Sequence, residues 1–232
     1  MALILNIDTA TETAGICLAK DGKVLGTAVN ESQQDHASWL QPAVSKLVLE
    51  ARVTMQQLDA VAVTIGPGSY TGLRVGLASA KGLCYALKIP LITESTLKTM
   101  AFAAVNELFP LQEVAADQPI LICPMIDARR MEVFTGVYDT NLEEKMPESA
   151  LILEKNSFAE LLEKNAILFI GNGSPKWKPI CGSSNAYYVE KALEIAPNLA
   201  LIAEKKYREQ QFSDLAYTEP AYLKEFYTYI KK

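Results

Sequence analysis

Two features of this chain have the residue types and spacing to do chemistry: a glycine-rich turn and an aspartate. Gly66-Pro67-Gly68-Ser69-Tyr70-Thr71-Gly72 follows Asp59–Ile65, a run of strand character, and opens into Thr71–Leu87, which has helical character. The first N–H groups of a helix lack partners within it, and the helix dipole places positive potential there, so such a turn suits a phosphate or carboxylate. Glycines let the backbone approach a ligand closely. No Gly-Lys-Ser/Thr follows, so this is not a Walker A loop, and any nucleotide affinity is expected to be weak. Any nucleotide contact is expected at Gly66, Gly68, Ser69 and Gly72, with Asp8 nearby. Asp8 ends the first strand beside Thr9 and Thr11, where a carboxylate could hold a hydrated cation next to a phosphate. The alternatives are a tight strand-to-helix connection and an ordinary turn-forming aspartate. Gly171-Asn172-Gly173-Ser174 is a second turn of the same kind, at a corresponding place in the second half.

Other reactive types are sparse. His36 is the only histidine and stands at a helix start, where a surface residue is expected. A transition-metal set needs imidazole or thiolate partners, and none is spaced to supply them, so no metal and no catalytic set is expected. Cys17, Cys84, Cys123 and Cys181 are scattered, three of them in apolar runs. They read as buried free thiols in a reducing compartment. Arg74 lies in the first turn of a helix, against the dipole, so it calls for an anion or a partner. Asp127-Ala128-Arg129-Arg130 joins two apolar runs; its arginines could contact anions, although a solvated hairpin tip is the default. Trp177 between Lys176 and Lys178 could stack on a base.

Gly72, Gly76 and Ala80 recur every fourth residue, with Leu73 and Leu77 beside them. Small residues at this spacing let another helix approach. The approaching element is either the chain's own sheet or a second protein. On the second reading, Leu40 and Leu47 from the preceding helix join Gly72, Leu73, Arg74, Gly76, Leu77 and Ala80 in one interface. That face is expected to pair with a homologous chain, or with itself in a two-fold homodimer.

The chain has 232 residues, is 50% hydrophobic and carries a net charge of −5. It can bury a large core as one domain or two compact lobes. The acidic balance argues against a stand-alone nucleic-acid binder, because phosphate contacts dominate such affinity. The N-terminal Met-Ala-Leu-Ile-Leu-Asn-Ile-Asp reads as a first strand rather than a signal peptide. No apolar run reaches the roughly 20 residues a bilayer requires. A cytoplasmic protein with no membrane contact is expected.

The elements that must position these residues fall into two halves. Strands are expected at Leu3–Asp8, Thr13–Ala19 and Lys23–Val29, with Asp21-Gly22 as a hairpin turn. A helix follows over Asp35–Ala51, kinked or started near Pro42. Thr54–Gln57 reads as a capping box. After the glycine turn and its helix come a strand at Ile89–Ile92 and a helix from Ser95 or Thr96 to about Phe109. The second half offers strands at Pro119–Ile126, Met131–Val137, near Ala150–Leu153 and at Ala166–Ile170. It also offers helices at Phe158–Lys164 and Ala196–Gln211. Each half follows the order of a ribonuclease-H-like lobe, three antiparallel strands and then crossover helices. The lobes are expected at 1–109 and 118–232, with Pro110–Asp117 as the boundary.

Taken together these residues resemble the TsaB (YeaZ) family of the actin-like superfamily. The resemblance runs through Ile7-Asp8-Thr9-x-Thr11, Gly66–Gly76, Ile89-Pro90-Leu91, Ser95-Thr96-Leu97, Ile126–Arg129, Gly171-Asn172-Gly173 and Pro220–Leu223. It spans nearly the whole chain, and the Gly66–Gly76 segment is its most specific part. It implies an α/β actin-like fold of two ribonuclease-H-like lobes with mixed sheets. It implies a role in making threonylcarbamoyladenosine next to the anticodon of tRNA, as a non-catalytic partner of the metalloenzyme TsaD with the ATPase TsaE. It also implies that tRNA is met only through that complex, and that ATP or ADP, if held, belongs to the assembly. The catalytic relative carries a His-x-x-x-His pair near the positions of Ser95 and Thr99. Hydroxyls are poor ligands for a transition metal. Two other classes compete: a stand-alone actin-like kinase using Asp8 and both glycine turns, and a peptidase, for which no metal set exists.

Overall fold

The first strand shows why the chain folds in layers. In β1 (Leu3–Asp8) every residue is buried. Successive side chains of a strand point to opposite faces, so an unbroken apolar run requires cover on both sides of the sheet. The computed structural model describes residues 2–32, 35–108, 118–189 and 191–224. In it, β1 is the middle strand of a five-stranded sheet ordered β3-β2-β1-β4-β5. β2 (Ala14–Lys20) and β3 (Lys23–Asn30) pair antiparallel, and β4 (Ala60–Thr64) and β5 (Leu91–Glu94) pair parallel. The β2–β3 turn has Asp21 and Gly22 at φ 52° and 75°, as the sequence predicts for a two-residue hairpin.

Helices α1 (His36–Glu50) and α2 (Tyr70–Leu87) cover one face of this sheet. Leu3, Leu5 and Ile7 of β1 meet Leu40, Val44 and Leu47 of α1 and Leu77, Ala80 and Cys84 of α2 there. Pro42 is accommodated inside α1, which starts six residues earlier than the latest start the sequence allowed. The opposite face comes from the far end of the chain. Ala2, Ile4, Ala60, Ala62 and Ile92 pack against Leu199 and Ala203 of α5 (Ile195–Arg208).

The second sheet repeats the order, β10-β9-β6-β7-β8. β6 (Ile120–Asp127), β7 (Glu132–Asp139) and β8 (Glu144–Ile152) are antiparallel neighbours, and β9 (Ala166–Ile170) and β10 (Ala186–Val189) pair parallel with them. β8 is longer than expected, and β10 has no counterpart in the sequence reading because its four residues are all only half-buried. One face holds Phe158, Phe169 and Trp177, with the short α4 (Ala159–Leu162) beside them. The other face is covered by α3 (Thr96–Leu108), a helix of the first half, through Leu97, Met100, Ala101 and Ala104.

The two halves therefore exchange helices: α3 packs on the second sheet and α5 on the first. Asn106 and Glu107 of α3 bond Asn198 of α5 at 3.0 and 2.7 Å. The expected boundary at Pro110–Asp117 lies outside the described residues, as does the end of the helix at Phe109. Each half has the same five-stranded order of three antiparallel strands and two parallel ones, and together they make a two-lobed α/β fold with mixed sheets. Among the described residues no helix is long and apolar enough to cross a membrane.

Candidate functional site

The glycine turn is packed from two sides by the chain itself. Ser69 N–H donates to Ala10 O at 2.6 Å, Gly72 N–H to the Ser69 hydroxyl at 3.3 Å, and the Thr9 hydroxyl to Gly72 O at 2.7 Å. A Cβ on Gly68 would stand 2.2 Å from Ala10 O, and one on Gly72 would stand 2.0 Å from Thr9 O. On the other side Ala221 N–H donates to Ile65 O at 2.7 Å, and a Cβ on Gly66, at φ 119°, would lie 2.7 Å from Ala221 O. The glycines admit other backbone rather than a ligand. The expectation of free N–H donors is corrected for Ser69 and Gly72, because the β1–β2 turn and the Ser69 cap use them.

Asp8 faces a different volume. A cleft of about 690 Å3 lies where the halves meet, lined by Asp8, Thr11 and Glu12, by Gly171 and Asn172 of the second glycine turn, and by Lys191 and Glu194 before α5. Gly66, Gly68, Ser69 and Gly72 do not line it, so the structure does not gather them around one ligand volume with Asp8. Asp8 is buried; it accepts from the Thr64 hydroxyl and from Ala10 N–H. Burial holds its carboxyl above the usual carboxylate range, partly offset by those two bonds and by the field of His36. The cleft wall carries Asp8, Glu12, Glu31 and Glu194 against the single cation Lys191. A polyphosphate without counter-ions meets repulsion there.

His36 is buried, not at the surface as expected. Its ring lies 3.2 Å from Thr11 O through Nε2 and 3.4 Å from Asn30 Nδ2 through Nδ1. The Thr11 carbonyl can only accept, so Nε2 carries a proton toward it, while Nδ1 faces the Asn30 amide. The histidine ties α1 to the strand ends and is no ligand. Among the described residues no three His, Cys, Asp or Glu side chains gather as a metal set. Ser95 accepts from Lys98 N–H and so caps α3, while its hydroxyl donates to Glu148, which also accepts from Tyr138. Thr99 donates to Ser95 O at 2.7 Å. Both hydroxyls are occupied by helix start and by the tie between halves.

The expected partner face is corrected. Leu40, Leu47, Gly72, Leu73, Gly76, Leu77 and Ala80 are all buried within the lobe. A Cβ on Gly76 would stand 2.3 Å from the Thr9 hydroxyl, so the small stripe serves the lobe's own β1–β2 turn. Arg74 is exposed and already partnered: Nε donates to the Tyr222 hydroxyl at 3.0 Å, and the guanidinium lies 4.0 Å from the centroid of Tyr70. The side of α2 that does face solvent carries Thr71, Ala78, Gly82 and Tyr85. Gly82 is its oddity, because a Cβ there would meet nothing within 4 Å. Trp177 is likewise a core residue. Its Nε1 donates to Glu154 O at 3.1 Å and its rings pack on Phe158 and Phe169, so it has no face for a base. Sequence reasoning missed the segment after α5, where Ser213 pairs with Leu91 and Lys81 donates to the carbonyls of Ala216 and Thr218. Its one signal was the Pro220–Leu223 match.

Known proteins agree with this architecture. Residues 23–225 match the family described as "TsaD: tRNA N6-adenosine threonylcarbamoyltransferase". The chain is 34% identical over 174 residues to the tRNA threonylcarbamoyladenosine biosynthesis protein TsaB of Bacillus subtilis (strain 168), covering 73% of this chain and 70% of that one. It is 29% identical over 228 residues to TsaB of Escherichia coli (strain K12), covering 95% and 94%. The solved structure of YeaZ from Pseudomonas aeruginosa superposes with a TM-score of 0.79 at 24% identity, over 96% of this chain and all of that one. A match of this extent in sequence and fold places the chain in the TsaB (YeaZ) family, inside the wider TsaD group.

Proposed function

We propose that this chain is a non-catalytic subunit of the machinery that makes threonylcarbamoyladenosine in tRNA, acting by binding and organising a TsaD-like metalloenzyme together with a TsaE-like ATPase. The role in tRNA threonylcarbamoyladenosine biosynthesis belongs to its family. The observation that carries the non-catalytic part is the state of Ser95 and Thr99. At the positions where the resemblance puts the catalytic relative's histidine pair, this chain has two hydroxyls committed to capping α3 and to Glu148. In this reading it holds no cofactor of its own, ATP or ADP belongs to the assembled complex, and tRNA is met through that complex.

The partner surface in this reading is the outer side of α2 with the adjoining end of α1, rather than the buried stripe. Gly82 supports it. A mid-helix glycine costs about 1 kcal/mol relative to alanine, and nothing inside this lobe requires one. Beside it Tyr85 is 80% exposed, and on α1 Leu49 is 77% exposed. A helix of a homologous chain can approach Gly82 closely, and without the partner the same side pairs two copies about a two-fold axis. The acidic wall of the cleft does not favour the kinase reading. The test is co-purification with a TsaD-like subunit, with tRNA modification measured in depleted cells. Gly82→Leu is expected to melt like the parent yet lose the partner and fail to restore the modification. A well-folded Gly82→Leu chain that binds the partner with unchanged affinity overturns the surface assignment. Failure of the parent to bind any TsaD-like subunit overturns the role.

A further inference from the structure

The β6–β7 hairpin holds two arginines in an unusual state. Arg129 and Arg130 stand at φ 71° and 53°, and among the described residues this is the one place where two successive non-glycine residues take left-handed backbone. Side chains with a Cβ avoid that region, and it persists where surroundings over-determine it, typically at functional sites. Here the surroundings are explicit. Ala128 N–H donates to Glu132 O and Glu132 N–H to Arg129 O, while the Asp127 carboxylate accepts from Arg129 N–H at 2.6 Å. Asn172 of the second glycine turn accepts from Asp127 N–H at 2.9 Å. The tip is therefore rigid and buttressed from the turn that lines the cleft.

Its charges are equally defined. The hairpin's own acids are taken by lysines from elsewhere: Asp127 by Lys176 at 2.6 Å and Glu132 by Lys224. Lys176 holds Asp127 below the usual carboxylate range despite some burial, with Arg129 adding to the same field. Among the described residues neither arginine side chain makes a hydrogen bond or an ion pair, and both are exposed. An acidic protein of net charge −5 thus presents two exposed guanidinium groups, neither held by a side-chain hydrogen bond or ion pair, on a fixed tip.

We infer that the Arg129–Arg130 tip is a contact point for the phosphate backbone of RNA. Guanidinium groups bind phosphate oxygens in a bidentate manner, and consecutive residues on a rigid turn can reach neighbouring phosphates with the backbone already ordered. RNA is favoured over an acidic protein because the family's process acts on tRNA; in that clause the inference rests on the proposed function. The assay does not, since it uses the full chain alone.

The probe is a fluorescein-labelled RNA stem-loop, titrated by anisotropy between about 50 and 200 mM salt. The parent is expected to bind weakly at the low end. R129A/R130A is expected to lose most of that affinity and to reduce the salt slope of log K by about 1.5, the value for two phosphate contacts. Arg129→Asn combined with Arg130→Gly keeps the backbone but removes the charges. This second variant is expected to melt no lower than the parent and to bind RNA as poorly as R129A/R130A. Absence of RNA binding by the parent overturns the inference, and so does an unchanged slope in both variants. A poly-glutamate peptide bound more tightly than the RNA, and lost in the same variants, would reassign the tip to an acidic protein.

Discussion

Asp8 shows at the level of one residue how burial sets behaviour. Its carboxyl is raised by desolvation more than Thr64, Ala10 and His36 lower it. A carboxyl whose folded pKa exceeds the unfolded value binds more protons when folded, so stability is lost as pH rises through that window and is fully present below the unfolded value near 4. Asp8→Asn removes the charge while an amide oxygen still accepts from Thr64 and Ala10. The variant is expected to melt above the parent at pH 7, with the gap closing near pH 4. Thermal melts across that range check it, and a gap that widens in acid contradicts the assignment. Gly76 is a second case. With its Cβ position 2.3 Å from the Thr9 hydroxyl, Gly76→Leu overpacks the lobe. It is expected to lower stability by about 3 kcal/mol or to prevent folding, measured by urea melts. Such a variant reports on the core rather than on a partner.

At the scale of elements, α2 has two sides that the same sequence feature serves differently. Gly72 and Gly76 face the β1–β2 turn, whereas Gly82 faces solvent. Gly82→Ala is expected to stabilise the isolated chain by about 0.5–1 kcal/mol, since helix propensity improves and nothing is displaced. A loss of stability in urea melts would mean that the position is packed. The segment after α5 is the other telling element. It crosses α2 and the glycine turn and is held by Leu91, Lys81, Ile65 and Arg74. Tyr222→Phe keeps the ring contact with Tyr70 but drops the bond to Arg74. Because that bond is exposed to solvent, only a small loss of stability is expected, measured by urea melts. Removing the segment from Ser213 onward also strips the backbone partners of Leu91 and Ile65.

For the whole molecule, the exchange of α3 and α5 decides cooperativity. The first sheet needs Leu199 and Ala203 from α5 to cover Ile4, Ala62 and Ile92, and the second needs Leu97, Met100 and Ala104 from α3. Lys206 of α5 ties to Glu94 and Thr93 at the end of β5. A fragment of residues 1–108 would expose the apolar face of its sheet while α3 dangled without its own sheet. It is expected to be molten or aggregated, and the whole chain to unfold in one transition. A fragment giving native-like near-ultraviolet circular dichroism and a sharp melt would show that the halves are independent.

The sequence by itself determined the strands of both sheets apart from β10, the Asp21-Gly22 hairpin, the glycine turn and the family. These rest on local patterns: apolar runs of strand length, turn residues with special φ, and a long specific motif. It also showed Asp8 at a strand end and the hydroxyls at Ser95 and Thr99. Only the tertiary structure decided what the glycines are for. Spacing of four marks a close approach but not the approaching element, and here that element is the Thr9–Ala10 backbone. The burial of His36 and Trp177 and the half-buried β10 follow from neighbours distant in sequence, which no local period encodes. The same holds for α5, whose amphipathic pattern announces a buried side without naming the sheet it covers. The matching surface is formed by residues of the first sheet, Ala2 to Ile92, more than 100 positions earlier in the chain.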